Sequence, residues 1–118
     1  NLFDILAKEY DNLIKISECK GELDNNKVTI CGEILEIKSG TSKNKNKYIK
    51  AKINDSTDSF NIMIMEKYFD MNNELNNGRK LEVGDIVCAI GRKSNDIVFC
   101  DKIVNQKIKV IQKISEIE

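Results

Sequence analysis

The chain has 118 residues, which is enough for one domain with a hydrophobic core of its own. Its 19 basic and 19 acidic residues cancel, and this balance argues against indiscriminate attraction to polyanions. No run of about 18 apolar residues occurs, so the sequence predicts no membrane span, and no secretory signal is visible. Because the chain begins without an initiator methionine, we expect a piece of a longer protein.

Helical and strand-like patterns divide the chain into three parts. Apolar residues near the N-terminus recur at helical spacing: Leu2, Leu6, Tyr10 and Leu13. They predict an amphipathic helix over residues 2–14, within an N-terminal lead-in of residues 1–26. A mainly β domain is expected at 27–104. Isoleucines recur every three residues in the extension 105–118, which favours a C-terminal helix.

Five strand-like segments fill the β domain. They are expected at residues 27–38, 47–54, 60–65, 86–91 and 96–104. In the first, the apolar phase slips by one residue between Ile34 and Leu35, shortly after Gly32, which predicts a bulge or sharp curl. Residues 66–75 form a short predicted helix. Three strands, a helix and two strands is the layout of the OB-fold, a five-stranded partly open β-barrel.

A lysine-rich segment, residues 38–52, has six lysines and no acidic residue. Its first part, 39–47, is rich in Gly, Ser and Asn and predicts a loop. Its second part alternates, which places Tyr48, Lys50 and Lys52 on one side of a strand. Such a strand can follow a phosphate backbone and offer a ring on which a base stacks. A solvated sheet face beside a mobile loop also explains these residues, because lysine is a common surface residue.

Catalytic and metal-binding chemistry finds little support in the residue types. The chain has no histidine, so a Ser-His or Cys-His nucleophile is absent. The chain has four cysteines: Cys19, Cys31, Cys88 and Cys100. They form no C-x-x-C pair, so a zinc site is not expected. We expect them to be buried, reduced thiols in the cytoplasm. Asp55 and Asp58 flank one turn, where we expect them to bond the backbone. No cofactor and no catalytic activity are expected of this fragment.

Several short motifs mark the β domain. They are V-T-I-C-G-E-I at 28–34, T-S-K at 41–43 ahead of K-Y-I at 47–49, I-N-D-S-T-D-S-F-N-I at 53–62, Tyr68, and V-G-D-I-V at 83–87 with Gly91. Together they resemble the OB domain of bacterial replicative DNA polymerase III alpha subunits, within the tRNA-anticodon-type OB domains. Asp58 stands where that family usually has glycine, and Met65 where phenylalanine is usual.

The resemblance implies a binding domain for single-stranded nucleic acid in a DNA-directed DNA polymerase. Its ligand would cross strands two and three, framed by the loops between strands one and two and between strands four and five. That mapping nominates Lys43, Lys45 and Lys47 on the first loop, Tyr48, Lys50 and Lys52 on strand two, Asn61 and Met63 on strand three, and Arg92 and Lys93 on the far loop. Phe60 and Phe99 are assigned to the core. The implied partners are single-stranded DNA, bound weakly without sequence preference, and other domains or subunits of a replication complex.

Two other interpretations remain open. Some OB domains dock proteins and bind no nucleic acid, and the zero net charge with Glu33 and Glu36 on strand one favours such an adaptor. The chain also resembles OB domains of class II aminoacyl-tRNA synthetases and of single-strand-binding proteins of the replication-protein-A kind. The synthetase domains usually have a Gly-Trp-Val motif, and the absence of tryptophan argues against them.

Overall fold

Residues 2–106, which this computed structural model describes, form short helices and a five-stranded sheet. The helices are α1 (Leu2–Ala7), α2 (Ile16–Cys19) and α3 (Phe69–Leu75), the last preceded by a 3₁₀ turn, Glu66–Tyr68. The strands are β1 (Lys27–Thr41), β2 (Lys47–Asn54), β3 (Ser59–Met65), β4 (Ile86–Ser94) and β5 (Ile97–Asn105). The predicted C-terminal helix falls on residues 107–118, outside the described part.

The sheet closes in a ring in the order β1-β2-β3-β5-β4, with β1 joined to both β2 and β4. All neighbours are antiparallel except β3 and β5, which run parallel. Apolar side chains on alternate positions of every strand fill the ring, among them Ile30, Ile53, Ile62, Val87 and Val98. The predicted OB-fold layout is confirmed, because five strands and the helix before β4 follow the expected order.

The long first strand, β1, pairs with two neighbouring strands because it curls. Its first half pairs with β4, and its second half pairs with β2. The register shifts between Ile34 and Glu36, so Leu35 is the extra residue of a bulge. A side chain at Gly32 would lie 2.7 Å from the carbonyl oxygen of Asn54, so only glycine permits this approach. The bulge predicted from the phase slip is confirmed.

The N-terminal helix is shorter than predicted. The expected span 2–14 was wrong beyond Ala7, where α1 ends. Asn12 adopts a positive φ of 64°, and the amide of Ile14 donates to Thr29 of β1 at 3.0 Å. The apolar residues that suggested more helix pack under α1 instead, beside the buried side chains of Leu6, Cys31 and Cys88. All four cysteines are buried and none forms a disulfide bond, as expected.

Two asparagines attach α3 to the sheet. Beyond Cys100, β5 has no β3 partner, and α3 covers that edge. Asn72 donates to the carbonyl of Asp101 at 2.9 Å and accepts from the amide of Ile103 at 2.8 Å. Asn76, one helical turn later, donates to the carbonyl of Ile103 at 2.8 Å and accepts from the amide of Asn105 at 2.9 Å. Their amide groups therefore replace the hydrogen bonds of a missing strand.

Within residues 2–106, no helix is both long and apolar enough to cross a membrane.

Candidate nucleic-acid interface

The outer surface of β2 and β3 collects most of the predicted binding residues. Cross-strand pairs lie side by side there: Tyr48 with Met65, Lys50 with Met63, and Lys52 with Asn61. Neighbouring strands are about 4.8 Å apart, so these side chains form one continuous surface. All six are partly exposed, whereas the alternate residues Ala51, Ile53, Ile62 and Ile64 are buried. We call these six outward residues the strand face.

The curled end of β1 extends the strand face on one side. Lys38 pairs with Lys50, and Gly40 pairs with Tyr48. A side chain at Gly40 would clash with the ring of Tyr48, so this ring lies against the glycine backbone and is held at the edge of the face. Lys38 was not among the predicted binding residues, because the predicted strand ended there. Two residues before Lys38, on the same side of β1, Glu36 places a carboxylate opposite Lys52.

The loop between β1 and β2 is shorter and more regular than predicted. Residues 39–41 belong to β1, which leaves a five-residue connection, 42–46. Ser42 closes it, because its amide donates to the carbonyl of Asn46 at 2.8 Å and its hydroxyl accepts from the amide of Asn46 at 3.2 Å. Lys43 and Lys45 are exposed on this turn and Lys47 is exposed at the start of β2. The hairpin therefore places these lysines beyond the end of the strand face.

The placement of Arg92 and Lys93 on the far loop was wrong. Both belong to β4, and only two residues connect it to β5. The side chain of Lys93 is 7% exposed, and its ammonium lies 3.3 Å from the carboxylate of Asp24. Hydrogen bonds from the Asn95 amide and from Lys93 lower the pKa of Asp24. Lys93 thus ties the lead-in to β4, while Arg92 is exposed and donates to the carbonyl of Asn25 at 2.8 Å.

Phe99 is not a core residue, contrary to the sequence prediction, because its side chain is 44% exposed. Its neighbours Val98 and Cys100 point inward, so the alternation of β5 turns Phe99 outward. It lies beside Met63 of β3 and Arg92 of β4. The strand face therefore continues across β5. The two-residue period of β5 could have revealed that Phe99 faces outward. Phe60 is buried, as predicted.

The acidic turn between β2 and β3 is structural, as expected. Asp55 accepts hydrogen bonds from Thr57 and from the amide of Ile16 at 2.8 Å, which caps the start of α2. Burial disfavours its charge, but these hydrogen bonds outweigh burial and hold the pKa of Asp55 below its ordinary value. Asp58 forms a 2.7 Å ion pair with Lys20. Among residues 2–106, no three metal-ligating side chains cluster.

Comparison with known sequences identifies the family. Residues 28–111 match the tRNA_anti-codon family, described as an OB-fold nucleic acid binding domain. The chain belongs to this family. The match covers the strand face, the curled β1 and the Phe99 side of β5, so the nucleic-acid-binding class suggested by the sequence motifs is confirmed. No curated protein sequence is significantly similar to the chain.

Solved structures with the same fold include three from yeasts. Rim1, a mitochondrial single-stranded DNA binding protein of S. cerevisiae, aligns with a TM-score of 0.56 and 22% identity over 70% of this chain and 96% of its own. Telomere capping protein Ten1 of Schizosaccharomyces pombe aligns with a TM-score of 0.53 and 16% identity, over 88% of this chain and 99% of its own. A chain of the yeast Stn1 and Ten1 structure aligns with a TM-score of 0.55 and 16% identity over 72% of this chain. The present chain spans 46% of the length of that chain. At these identities the likeness shows the fold.

Proposed function

We propose that this domain binds single-stranded DNA along the strand face and has no catalytic activity of its own. The observation that carries the proposal is one row of residues, one from each of the five strands. Lys38 and Lys50 stand at one end, Met63 and Phe99 in the middle, and Arg92 at the other end. Cations at both ends can neutralise phosphates, and the apolar centre can contact bases.

A single strand suits this surface better than a duplex. Tyr48 offers a partly exposed ring and Phe99 an exposed one, and only an unpaired strand can present the faces of its bases to them. Each stacked base contributes about 1–3 kcal/mol. With two rings available for stacking, we expect the affinity to be modest. The family match supports nucleic acid as the ligand class.

The finer part of the proposal is the parent protein. The motifs between residues 28 and 91 support an OB domain of a bacterial replicative DNA polymerase alpha subunit in the cytoplasm. Its role would be to hold template DNA near the polymerase, together with other domains or subunits of a replication complex. Tethering raises the effective concentration of a weak binding domain, so modest affinity is sufficient there.

Fluorescence anisotropy with labelled oligo-dT tests the binding surface. An oligonucleotide of about 20 nucleotides exceeds the roughly 4–16 that one OB-fold covers. We expect saturable binding that weakens with added salt and falls about tenfold or more in Lys50→Glu/Lys52→Glu. The matched control is Lys8→Glu/Lys15→Glu, which makes the same charge change at exposed positions of the N-terminal lead-in, where the ammonium of Lys15 lies over the ring of Phe3.

Two results would contradict the proposal. Equal losses in both double variants would mean that overall charge, and not the strand face, governs binding. No saturable binding at hundreds of micromolar protein in low salt would exclude free single-stranded DNA as the ligand, and a protein partner would then be sought.

A further inference from the structure

A cavity of about 340 Å³ lies next to the strand face, where β5 passes the end of β3. Apolar and aromatic side chains form its walls: Phe99, Tyr68 and Met65. Basic residues from three different elements surround it: Lys27, Lys67 and Arg92. The ammonium of Lys67 lies 5.1 Å from the centre of the Tyr68 ring. We call this cavity the Phe99 pocket.

One carboxylate, that of Asp101, lines this basic pocket because of a bulge. The register of β4 and β5 shifts after Ile90, so that Ile90 faces Lys102 but Gly91 faces Cys100. Asp101 is the extra residue, and bulges redirect the side chains that they contain. A side chain at Gly91 would clash with the backbone of β5, so glycine permits this close contact.

One oxygen of the Asp101 carboxylate lacks a hydrogen-bond donor. Its Oδ1 atom is shielded from solvent, and no residue in the described part of the chain donates a hydrogen bond to it. A buried acceptor without a donor is costly and uncommon in native proteins. Asp101 lines the Phe99 pocket, and the torsion of a carboxyl group is broad, so rotation of the group can bring this oxygen toward a ligand in the pocket. The backbone cannot follow, because Asn72 holds the Asp101 carbonyl at 2.9 Å.

We propose that the Phe99 pocket holds one nucleobase of the bound strand and selects a base with an amino group. This inference rests on the proposed function, because Met65 of the strand face lines the pocket and Met63 lies beside Phe99. A base stacked on Phe99 would donate its edge N–H groups to Asp101, and the three cations would neutralise the flanking phosphates. Binding along the strand face tolerates any sequence, but this one position does not.

The chemistry of the base edges ranks the four bases. Guanine presents two adjacent donors, N1–H and the 2-amino group, which match the two oxygens of a carboxylate. Cytosine and adenine each donate from one amino group, as a carboxylate can accept from the 4-amino group of cytosine. Thymine presents N3–H between two carbonyl oxygens, which the negative charge of Asp101 repels. We therefore expect guanine to bind best and thymine worst.

A walk of single substitutions through oligo-dT tests the pocket. Each oligonucleotide, about 12 nucleotides long, has one guanine at a different position, so each covers roughly one binding site. We expect one position to bind about tenfold tighter than all-thymine DNA, within the range of a bidentate contact. Adenine and cytosine at that position should give intermediate affinities. In Asp101→Asn, which is nearly isosteric, we expect the guanine preference to disappear, while all-thymine DNA binds as well as before or more tightly, because the charge that repels the thymine carbonyl oxygens is removed.

The outcomes separate the pocket from the strand face. If all-thymine DNA binds and no guanine position binds more tightly, the pocket inference is overturned while the proposed function stands. If no oligonucleotide binds, both are overturned. A guanine preference that survives in Asp101→Asn, with thermal unfolding unchanged, would also overturn the inference, because another group would then read the base. The walk with the unmodified protein decides the matter even if a variant fails to fold.

Discussion

Replacing Asn76 by alanine tests whether the asparagine contacts attach α3 to the sheet. The side chain is 3% exposed and makes hydrogen bonds with Asn72, Ile103 and Asn105. The carbonyl of Asn72 keeps a second donor, the backbone amide of Asn76, but the Ile103 carbonyl and the Asn105 amide lose these partners. Each buried group left unsatisfied costs about 1–3 kcal/mol. We expect Asn76→Ala to lower the free energy of unfolding by about 2–4 kcal/mol.

Urea unfolding followed by far-ultraviolet circular dichroism measures this loss. With a denaturant slope of about 2 kcal/mol/M, the unfolding midpoint should fall by about 1–2 M. The control is Asn73→Ala on the same helix, where the side chain is exposed, and its effect should stay within about 0.5 kcal/mol. An Asn76→Ala variant as stable as this control would refute the reasoning, because the strand-like hydrogen bonds would then contribute nothing measurable.

Three further predictions concern the acidic turn and the strand face. Asp55→Ala should lower the free energy of unfolding by about 1–2 kcal/mol at pH 7. Because folding lowers the pKa of Asp55, this difference is present above about pH 4 and should shrink at lower pH. Urea titrations that show the same difference at every pH would contradict this prediction. Gly40→Val should displace the Tyr48 ring and weaken oligo-dT binding about fivefold or more, and wild-type affinity in anisotropy would argue against that packing. Lys50→Gln/Lys52→Gln should reduce the slope of log affinity against log salt by about 1.4, and an unchanged slope would place the phosphates elsewhere.

Alternation along the strands made half of the candidate site predictable. In β2 and β3, a two-residue period determines which side chains share a face, so Lys50, Lys52 and Met63 could be grouped before their partners were known. The curl of β1 was also predictable, because Gly32 and the phase slip are local features. Strand ends were not, because pairing decides them. Lys93 was assigned to a loop because nothing local revealed that β4 continues or that Asp24 covers its ammonium.

By itself, the sequence determined the order of the strands along the chain, the inward and outward sides of β2 and β3, and the burial of the four cysteines. Each of these follows from residue type and local period. Tertiary structure decided what the outward residues meet. Closure of the ring brought Phe99 beside Met63, and a bulge left Asp101 without a cross-strand partner. These contacts join residues dozens of positions apart, and their geometry depends on pairing register, which no local pattern specifies.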